Sequence, residues 1–235
     1  MGLDLVVPVR EAATNAQLRW ALRSWSANLP HRHVWTVGHR LHWLTEEARH
    51  IPTRQQGFSY ANTTLAMRAA CDEPEVSDPF IWVDDDVFAM HPMPDGAPVV
   101  HRGPMRELIA ARAGQAGPYV EELRATYGWL TGRGYPDPLS YDVHAPMPVS
   151  KAGMVAALDA APGHDAHKRT VYGVLAELGG ERVDDVKITY RAPRGFGPDS
   201  RFLSTLPDAF TNGHVGRFIR DAFPQPCRYE TAGRR

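Results

Sequence analysis

Three consecutive carboxylates, Asp84, Asp85 and Asp86, follow directly after the apolar run 80–83. Side chains this close repel one another, and a cation or several hydrogen-bond donors must offset that repulsion. On an extended backbone, Asp84 and Asp86 lie on one side and Asp85 on the other. Oxygen donors in this pattern suit Mn²⁺ or Mg²⁺, which could hold a diphosphate and act as a Lewis acid on the leaving group. An acidic turn that accepts backbone N–H groups is the alternative, but the preceding apolar strand favours a metal site.

A second candidate site lies in residues 136–148, a segment that contains four prolines. It includes Asp142 and His144, which share one face if the backbone there is extended. A carboxylate or an imidazole in this position could take the proton of an acceptor hydroxyl as a general base. Alternatively, Asp142 is a turn residue and His144 packs beside Pro146. His144 could also be a third ligand of the metal, because neutral imidazole binds ions of the Mn²⁺ type.

Two weaker candidates come from the C-terminal part of the chain. His214 follows Asn212 and Gly213, and it could reach the metal or the diphosphate; a turn histidine is the alternative. A basic stretch could bind a diphosphate or a nucleic-acid backbone, with a solvated surface as the alternative. Its members are Lys187, Arg191, Arg194 and Arg201.

The first half of the chain contains the elements that must position the aspartates. Residues 3–9 read as a buried strand, and apolar residues from Leu18 to Leu29 at helical spacing predict a helix that ends before Pro30. Thr14 and Gln17 have the spacing of a capping box. Further strands are predicted at 33–38, around 50–51 and at 80–83, with a helix between the last two that starts at Asn62.

The second half has a less regular pattern. We expect a strand at 97–101, irregular helices over 105–135 and a shaped loop over 136–148. Ser150 should cap one helix, and Gly179-Gly180 should end another. Apolar residues at 186, 188 and 190 alternate as in a strand. After Arg191 the sequence has little periodicity.

Strands and helices alternate in the order expected for an α/β/α sandwich with a mostly parallel mixed sheet. Ligands of such sheets bind beyond the carboxyl ends of the strands. This rule brings the aspartates together with residues that would contact a nucleotide, namely Pro8, Val9, Arg10, Val37 and Gly38. The length predicts one domain over residues 1–235, with 1–104 as the nucleotide-binding half and 105–235 as the acceptor-side half.

Charge is unevenly distributed along a chain whose net charge is only −1. Residues 10–54 hold seven arginines against three acids, 72–86 hold seven acids and no base, and 187–235 hold nine bases against four acids. An acidic centre framed by basic segments suits a metal beside phosphates, although surface charge also clusters by chance. Two cysteines exclude a disulfide scaffold, and no apolar run is long enough to cross a membrane. We therefore expect a cytoplasmic protein without a membrane span.

A strand–helix–strand start followed by a strand ending in D-x-D resembles a GT-A glycosyltransferase. The chain is more specifically similar to the small glycosyltransferases of actinobacterial phages, over segments that span almost its full length. These segments are 4–10, 80–88, 101–104, 139–147, 202–205 and 228–230. Residues 141–147 also resemble, more distantly, a block of the Stealth sugar-phosphate transferases.

The resemblance implies a GT-A-like, Rossmann-like fold, a nucleotide-sugar donor that is usually uridine-linked, and a divalent metal. In this chain, Pro8, Val9 and Arg10 would line the nucleotide, and Asp84 and Asp86 the diphosphate and the metal. Similar proteins often have asparagine at the position of Asp84. The working pair is therefore either Asp84–Asp86 or Asp85–Asp86.

From these patterns we predict an enzyme, a hexosyltransferase that uses Mn²⁺ or Mg²⁺ and a UDP-sugar. The acceptor that the resemblance and the basic segments favour is a 5-hydroxymethylated pyrimidine in DNA. A phage structural protein or a glycan is the alternative acceptor, and Stealth-like sugar-phosphate transfer is the alternative chemistry. A non-catalytic metal- or nucleotide-binding module is a third class. No obligate protein partner is evident, and a phage-encoded enzyme would act in the host cytoplasm.

Overall fold

A computed structural model describes residues 2–12, 14–55, 59–163, 166–193, 196 and 199–231. The strands are β1 (Leu5–Val9), β2 (Val34–Gly38), β3 (Ala48–Pro52), β4 (Phe80–Trp82), β5 (Val87–Ala89), β6 (Val100–His101), β7 (Met147–Val149), β8 (Glu181–Arg182), β9 (Lys187–Ile188) and β10 (Phe202–Thr205). The helices are α1 (Ala16–Asn28), α2 (Ser59–Asp72), α3 (Met105–Ala110), α4 (Pro118–Thr131), α5 (Lys151–Ala160), α6 (Lys168–Leu175), α7 (Pro207–Asn212) and α8 (His214–Ala222).

The central sheet has five strands in the order β3-β2-β1-β4-β7. The first four are parallel, and β7 runs antiparallel to β4 at the edge. Because β2 and β3 follow β1 on one side while β4 lies on the other, the order of the strands reverses between β1 and β4. A crevice forms at such a reversal point, beyond the carboxyl ends of the strands.

Helices cover both faces of this sheet. Leu5, Val7 and Val9 of β1 belong to one apolar cluster, which includes residues of α1, α7 and α8. Val6 points to the opposite face and joins a second cluster with residues of α2, α5 and α6. This alternation along β1 follows from the two-residue repeat of a strand, and it explains why β1 is apolar at nearly every position. The α/β class and the mostly parallel sheet predicted from the sequence are confirmed.

A smaller sheet continues from the aspartates. β5 pairs antiparallel with β10, and β10 pairs parallel with β9. Its residues lie beside α1, whose Trp25 Nε1 donates a hydrogen bond to the carbonyl of Val87 over 2.9 Å. The smaller sheet therefore carries residues from positions 187–205 to the end of β4.

The buried carboxylate of Asp4 ties β1 to its neighbours. Its side-chain oxygens accept hydrogen bonds from Arg32 over 2.8 and 2.6 Å, from Trp35 Nε1 over 3.0 Å and from the backbone N–H of Ser77 over 2.9 Å. Burial alone would raise the pKa of Asp4, but these donors, with Arg32 foremost, hold it below its usual value.

A C-terminal strap, residues 228–231, packs against the N-terminal half of α1. The carboxylate of Glu230 accepts hydrogen bonds from Arg19 over 2.8 Å and from Arg23 over 2.7 and 2.9 Å. Tyr229 is fully buried, and Glu230 forms an isolated bridge with Leu44. The strap is thus held by core packing and by two ion pairs from one helix.

Several local predictions are wrong. The side chain of Asn15, and not Thr14, caps α1 by accepting the N–H of Leu18, while Gln17 donates to Thr205 instead of closing a capping box. Helix α2 already begins at Ser59, so Asn62 lies within its first turn.

Two further differences concern longer segments. The predicted proline-shaped loop ends in strand β7, because an edge strand tolerates a proline such as Pro148. The region after Arg191 contains β10, α7 and α8, which the sequence analysis missed. No helix among the described residues is long and apolar enough to cross a membrane.

Candidate active site

A cavity of about 250 Å³ opens at the carboxyl ends of β1, β2 and β4. We call it the first chamber. The residues predicted to contact a nucleotide and the three aspartates line it together. They are Pro8, Val9, Arg10, Val37, Asp84, Asp85 and Asp86. The strand-end rule therefore placed these distant segments correctly.

Gly38, the remaining predicted nucleotide contact, is outside the described lining of this chamber. Its φ is +114°, and a Cβ there would lie 2.6 Å from the carbonyl oxygen of Val9. The glycine lets β2 turn closely past β1. That close approach explains the residue type at this position without a ligand contact.

Each aspartate has a different protein partner. Asp84 Oδ2 lies 3.4 Å from Arg169 Nη1. Asp85 accepts a hydrogen bond of 2.5 Å from Asn15. Asp86 accepts hydrogen bonds from Lys187 Nζ and, over 3.0 Å, from the hydroxyl of Ser204. The three carboxylates therefore diverge, and protein donors already offset part of their mutual repulsion.

The remaining repulsion, together with burial, raises the pKa values of Asp84 and Asp85. Burial and the neighbouring charge of Asp86 raise the pKa of Asp85 to about 6, although Asn15 opposes the change. Burial likewise raises the pKa of Asp84 against the attraction of Arg169. A divalent cation would relieve this stress, and carboxylate oxygens are the donors that Mn²⁺ and Mg²⁺ prefer. The chemistry of the donor set therefore fits a hard cation.

The fit requires rearrangement of the side chains. Among the described residues, no three His, Cys, Asp or Glu side chains are gathered as a preformed metal site. A cation at Asp86 would have to replace the ammonium group of Lys187. This internal ion pair is a property of the site that the sequence did not indicate.

A second chamber of about 330 Å³ adjoins the first. Asp84, His144 and Thr63 line both cavities, so these residues form the boundary between them. The remaining lining mixes aromatic, acidic and basic side chains. It includes Tyr60, Trp82, Tyr119, Asp142, His167, Lys168 and Arg169.

The antiparallel pairing of β7 explains this juxtaposition. Trp82 of β4 lies opposite Met147 of β7. Residues that follow Trp82 therefore lie beside residues that precede Met147, and this brings His144 next to Asp84. The two candidate sites found in the sequence thus meet at one edge of the sheet.

Asp142 is held by two neighbours in the second chamber. Its Oδ2 accepts a hydrogen bond of 2.8 Å from the Tyr119 hydroxyl and lies 3.4 Å from His167 Nδ1. Burial would raise the pKa of Asp142, but His167 and Tyr119 outweigh burial and keep the pKa below its usual range. A carboxylate this acidic is a poor proton acceptor and a good acceptor of hydrogen bonds from a ligand.

His167 is a deeply buried polar residue of this chamber. Its side chain is only 5% exposed, and neither ring nitrogen has a partner with hydrogen-bond geometry within the described part of the chain. A buried polar group without a hydrogen bond is costly. A hydroxyl group of a bound molecule would satisfy it.

His144 makes a carboxylate–histidine pair. Its Nδ1 lies 2.9 Å from Asp185 Oδ1, and Arg102 Nη1 lies 3.6 Å from the other carboxylate oxygen. Burial would lower the pKa of His144, but Asp185 outweighs burial and raises it. Burial would raise the pKa of Asp185, and His144 in turn keeps it below its usual value.

Asp185 and Lys187 are site residues that the sequence analysis did not single out as a pair. The signal was present, because the apolar residues Val186 and Ile188 alternate as in a strand and are partly buried. The residues at 185 and 187 must then share the opposite face, and there Asp185 contacts His144 and Lys187 contacts Asp86. Arg169 and Asn15 gave no comparable local signal.

The structure does not bring His214 to the aspartates. His214 is exposed at the first position of α8, where its backbone N–H donates to the carbonyl of Arg191. It is outside the described lining of both chambers. Of the basic stretch, Arg191 pairs with Asp208 and Arg201 with Glu181, whereas Arg194 lies outside the described residues.

No family model matches this chain, and no curated protein matches it significantly.

Proposed function

We propose that the protein is a metal-dependent glycosyltransferase of the GT-A type. It would transfer a sugar from a nucleotide-sugar, a UDP-sugar in the first instance, to a hydroxyl group. The observation that carries this proposal is the pair of chambers that share Asp84 and His144. One chamber offers acidic residues at strand ends, and the other offers aromatic and polar groups, as expected for two substrates that react at their boundary.

The first chamber would bind the donor. Pro8, Val9, Arg10 and Val37 would contact the base and the ribose. Asp86, together with Asp84 or Asp85, would hold Mn²⁺ or Mg²⁺, and the bound metal would supply Lewis-acid stabilisation of the leaving diphosphate. Lys187, once released from Asp86, is a cation within the same site that can bind a phosphate oxygen.

The second chamber would bind the acceptor. Tyr119, Asp142 and His167 provide hydrogen-bonding groups for its hydroxyls. His144 would accept the proton of the reacting hydroxyl, because it lies at the boundary and its Nδ1 is already engaged by Asp185. Asp142 would position the acceptor rather than take its proton.

The first acceptor to test is a 5-hydroxymethylated pyrimidine in DNA. Several arginines that could bind DNA phosphates already form ion pairs within the protein. Arg19 and Arg23 pair with Glu230, Arg32 with Asp4 and Arg49 with Glu75. We therefore expect weak, salt-sensitive DNA binding. Transfer of labelled sugar to hydroxymethylated but not to unmodified DNA would support this acceptor. If the labelled sugar appears on a phage structural protein or a glycan instead, that molecule is the acceptor and the DNA acceptor is wrong.

One observation favours a second chemistry, Stealth-like transfer of a sugar phosphate. Lys168 and Arg169 line the second chamber at the start of α6, where cations and helix N–H groups suit a phosphate. Incubation with a UDP-sugar and Mn²⁺ distinguishes the possibilities by the nucleotide released. UDP indicates glycosyl transfer or hydrolysis, and UMP indicates sugar-phosphate transfer. Release of neither would contradict both enzymatic proposals and leave a binding module.

A further inference from the structure

The ring of His144 is fixed from two directions. Asp185 Oδ1 accepts a hydrogen bond from the His144 backbone N–H over 3.3 Å and lies 2.9 Å from Nδ1 of its ring. One carboxylate oxygen thus holds both the main chain and the side chain of the same residue. With a carboxylate as partner, Nδ1 carries the ring proton, and Nε2 of the neutral ring is left as the proton acceptor.

Asp185 itself is held in place. Its side chain is 18% exposed, and Arg102, 15% exposed, lies against its second oxygen. The backbone N–H of Arg102 donates to the carbonyl of Ser140 over 2.8 Å, near the start of the loop that carries His144. Val186 packs against the core, so the backbone next to Asp185 is anchored as well.

Other charged groups also face His144. Asp84 and Asp142 lie on its side of the two chambers and favour its protonated form, and Lys187 opposes it. Among the described carboxylates, Asp185 is the one in hydrogen-bond contact with the ring. Asp184, which precedes Asp185 in the sequence, is exposed and lines neither chamber.

We propose that Asp185 is a positioning residue for His144, and this inference rests on the proposed function. Asp185 fixes the tautomer with the proton on Nδ1 and so leaves Nε2 to take the proton of the acceptor hydroxyl. As that proton moves to Nε2, the acceptor oxygen bonds to the sugar carbon. The bond from this carbon to the diphosphate breaks, and its electron pair leaves with the nucleotide. The carboxylate of Asp185 then stabilises the imidazolium that has formed.

The test compares Asp185→Asn with Asp184→Asn, a matched change at the exposed neighbouring position. The assays are release of UDP from a UDP-sugar as a function of pH, and titration of the His144 ring by NMR. Asp185→Asn should lower kcat/KM at least 100-fold and lower the pKa of His144. Asp184→Asn should leave kcat/KM within about twofold of the unmodified protein and leave the pKa of His144 unchanged. Asp185→Glu keeps the carboxylate and should recover part of the activity and of the pKa.

The outcomes separate this inference from the proposed function. Absence of any transfer by the unmodified protein overturns the proposed function. If the unmodified protein is active and Asp185→Asn is equally active, the inference is overturned while the function stands. The same holds if Asp185→Asn lowers the pKa of His144 without changing kcat/KM, because the contact then serves stability alone. Circular dichroism of each variant shows whether the fold is retained. If Asp185→Asn does not fold, Asp185→Glu is compared with Asp184→Asn instead. Lower activity of Asp185→Glu supports the inference, and equal activity of the two variants overturns it.

Discussion

Lys187 donates a hydrogen bond to Asp86 from a strand that lies 101 residues further along the chain. The pair forms where β9 and β10 of the smaller sheet reach the end of β4. Asp86 is the residue common to both metal-binding pairs considered from the sequence, so an internal cation occupies the carboxylate that a metal would use. In the proposed function, a metal that binds Asp86 would therefore compete with Lys187.

Replacement of Lys187 by methionine should strengthen metal binding in the absence of nucleotide. The change removes a positive charge that competes for Asp86, and we expect the affinity for Mn²⁺ to rise roughly tenfold. Isothermal titration calorimetry with Mn²⁺ measures it. Lys151→Met is the control, because Lys151 donates to the Glu73 carbonyl and is outside the described lining of both chambers. Unchanged or weaker affinity would show that Lys187 does not compete with the metal.

Asp86→Asn should abolish transfer and the metal-dependent part of UDP binding, with little effect on the fold. The amide retains the shape of the side chain but loses the charge that holds the metal and Lys187. We expect a loss of at least 100-fold in kcat/KM, measured as UDP release. The exposed Asp95 provides the matched variant, Asp95→Asn. Full metal-dependent turnover by Asp86→Asn would refute the role of the aspartates as metal ligands.

The pair formed by His144 and Asp185 should stabilise the protein more at low than at neutral pH. The pKa of His144 is raised in the folded protein, so its contribution is complete below the unfolded value of about 6.5 and is lost as the pH rises through the folded value. The free energy of unfolding lost in Asp185→Asn should therefore be larger at pH 5.5 than at pH 8.5. Urea denaturation at both pH values measures this, and an equal loss at both contradicts it.

Asp4→Asn should destabilise the fold by about 3 kcal/mol at pH 7, because it breaks a buried ion pair and leaves donors from three segments without a charged partner. The pKa of Asp4 is lowered by folding, so its contribution is present above the unfolded value and is lost as the pH falls through the folded value. The difference from the unmodified protein should shrink below pH 3.8. Urea denaturation from pH 2.5 to pH 7 tests this, and a constant difference across that range would be inconsistent with it.

The sequence predicted most of the lining of the first chamber, because short-range patterns determine which segments lie there. The β1, α1, β2 and β4 segments each have a regular apolar repeat, and parallel strands bring their carboxyl ends to one edge. These two patterns were sufficient to predict that Pro8–Arg10 and Asp84–Asp86 lie together. The choice of Asn15 over Thr14 as the helix cap was not predictable, because Asn15 also donates to Asp85 in the distant turn between β4 and β5.

The second chamber depends on contacts between distant segments. His144 reaches Asp84 only because β7 joins the sheet in an antiparallel orientation beside β4, and nothing local to 136–148 indicates that pairing. The contacts of Asp185 with His144 and of Lys187 with Asp86 were not predictable for a related reason. Strand β9 has only two residues, Lys187 and Ile188, and its partner β10 lies in a region whose sequence has little periodicity.

The strap at residues 228–231 also has a consequence for the order in which the protein matures. Glu230 is synthesised more than 200 residues after Arg19 and Arg23 of α1, the helix whose cap Asn15 holds Asp85. At common rates of translation, of about 5–20 residues per second, the arginines wait roughly 10–40 s for their carboxylate. Tyr229, which fills the core beside them, arrives equally late. A nascent chain that extends to β5 therefore carries all three aspartates, but the helix that orients one of them still lacks the ion pairs of Arg19 and Arg23 in its first two turns.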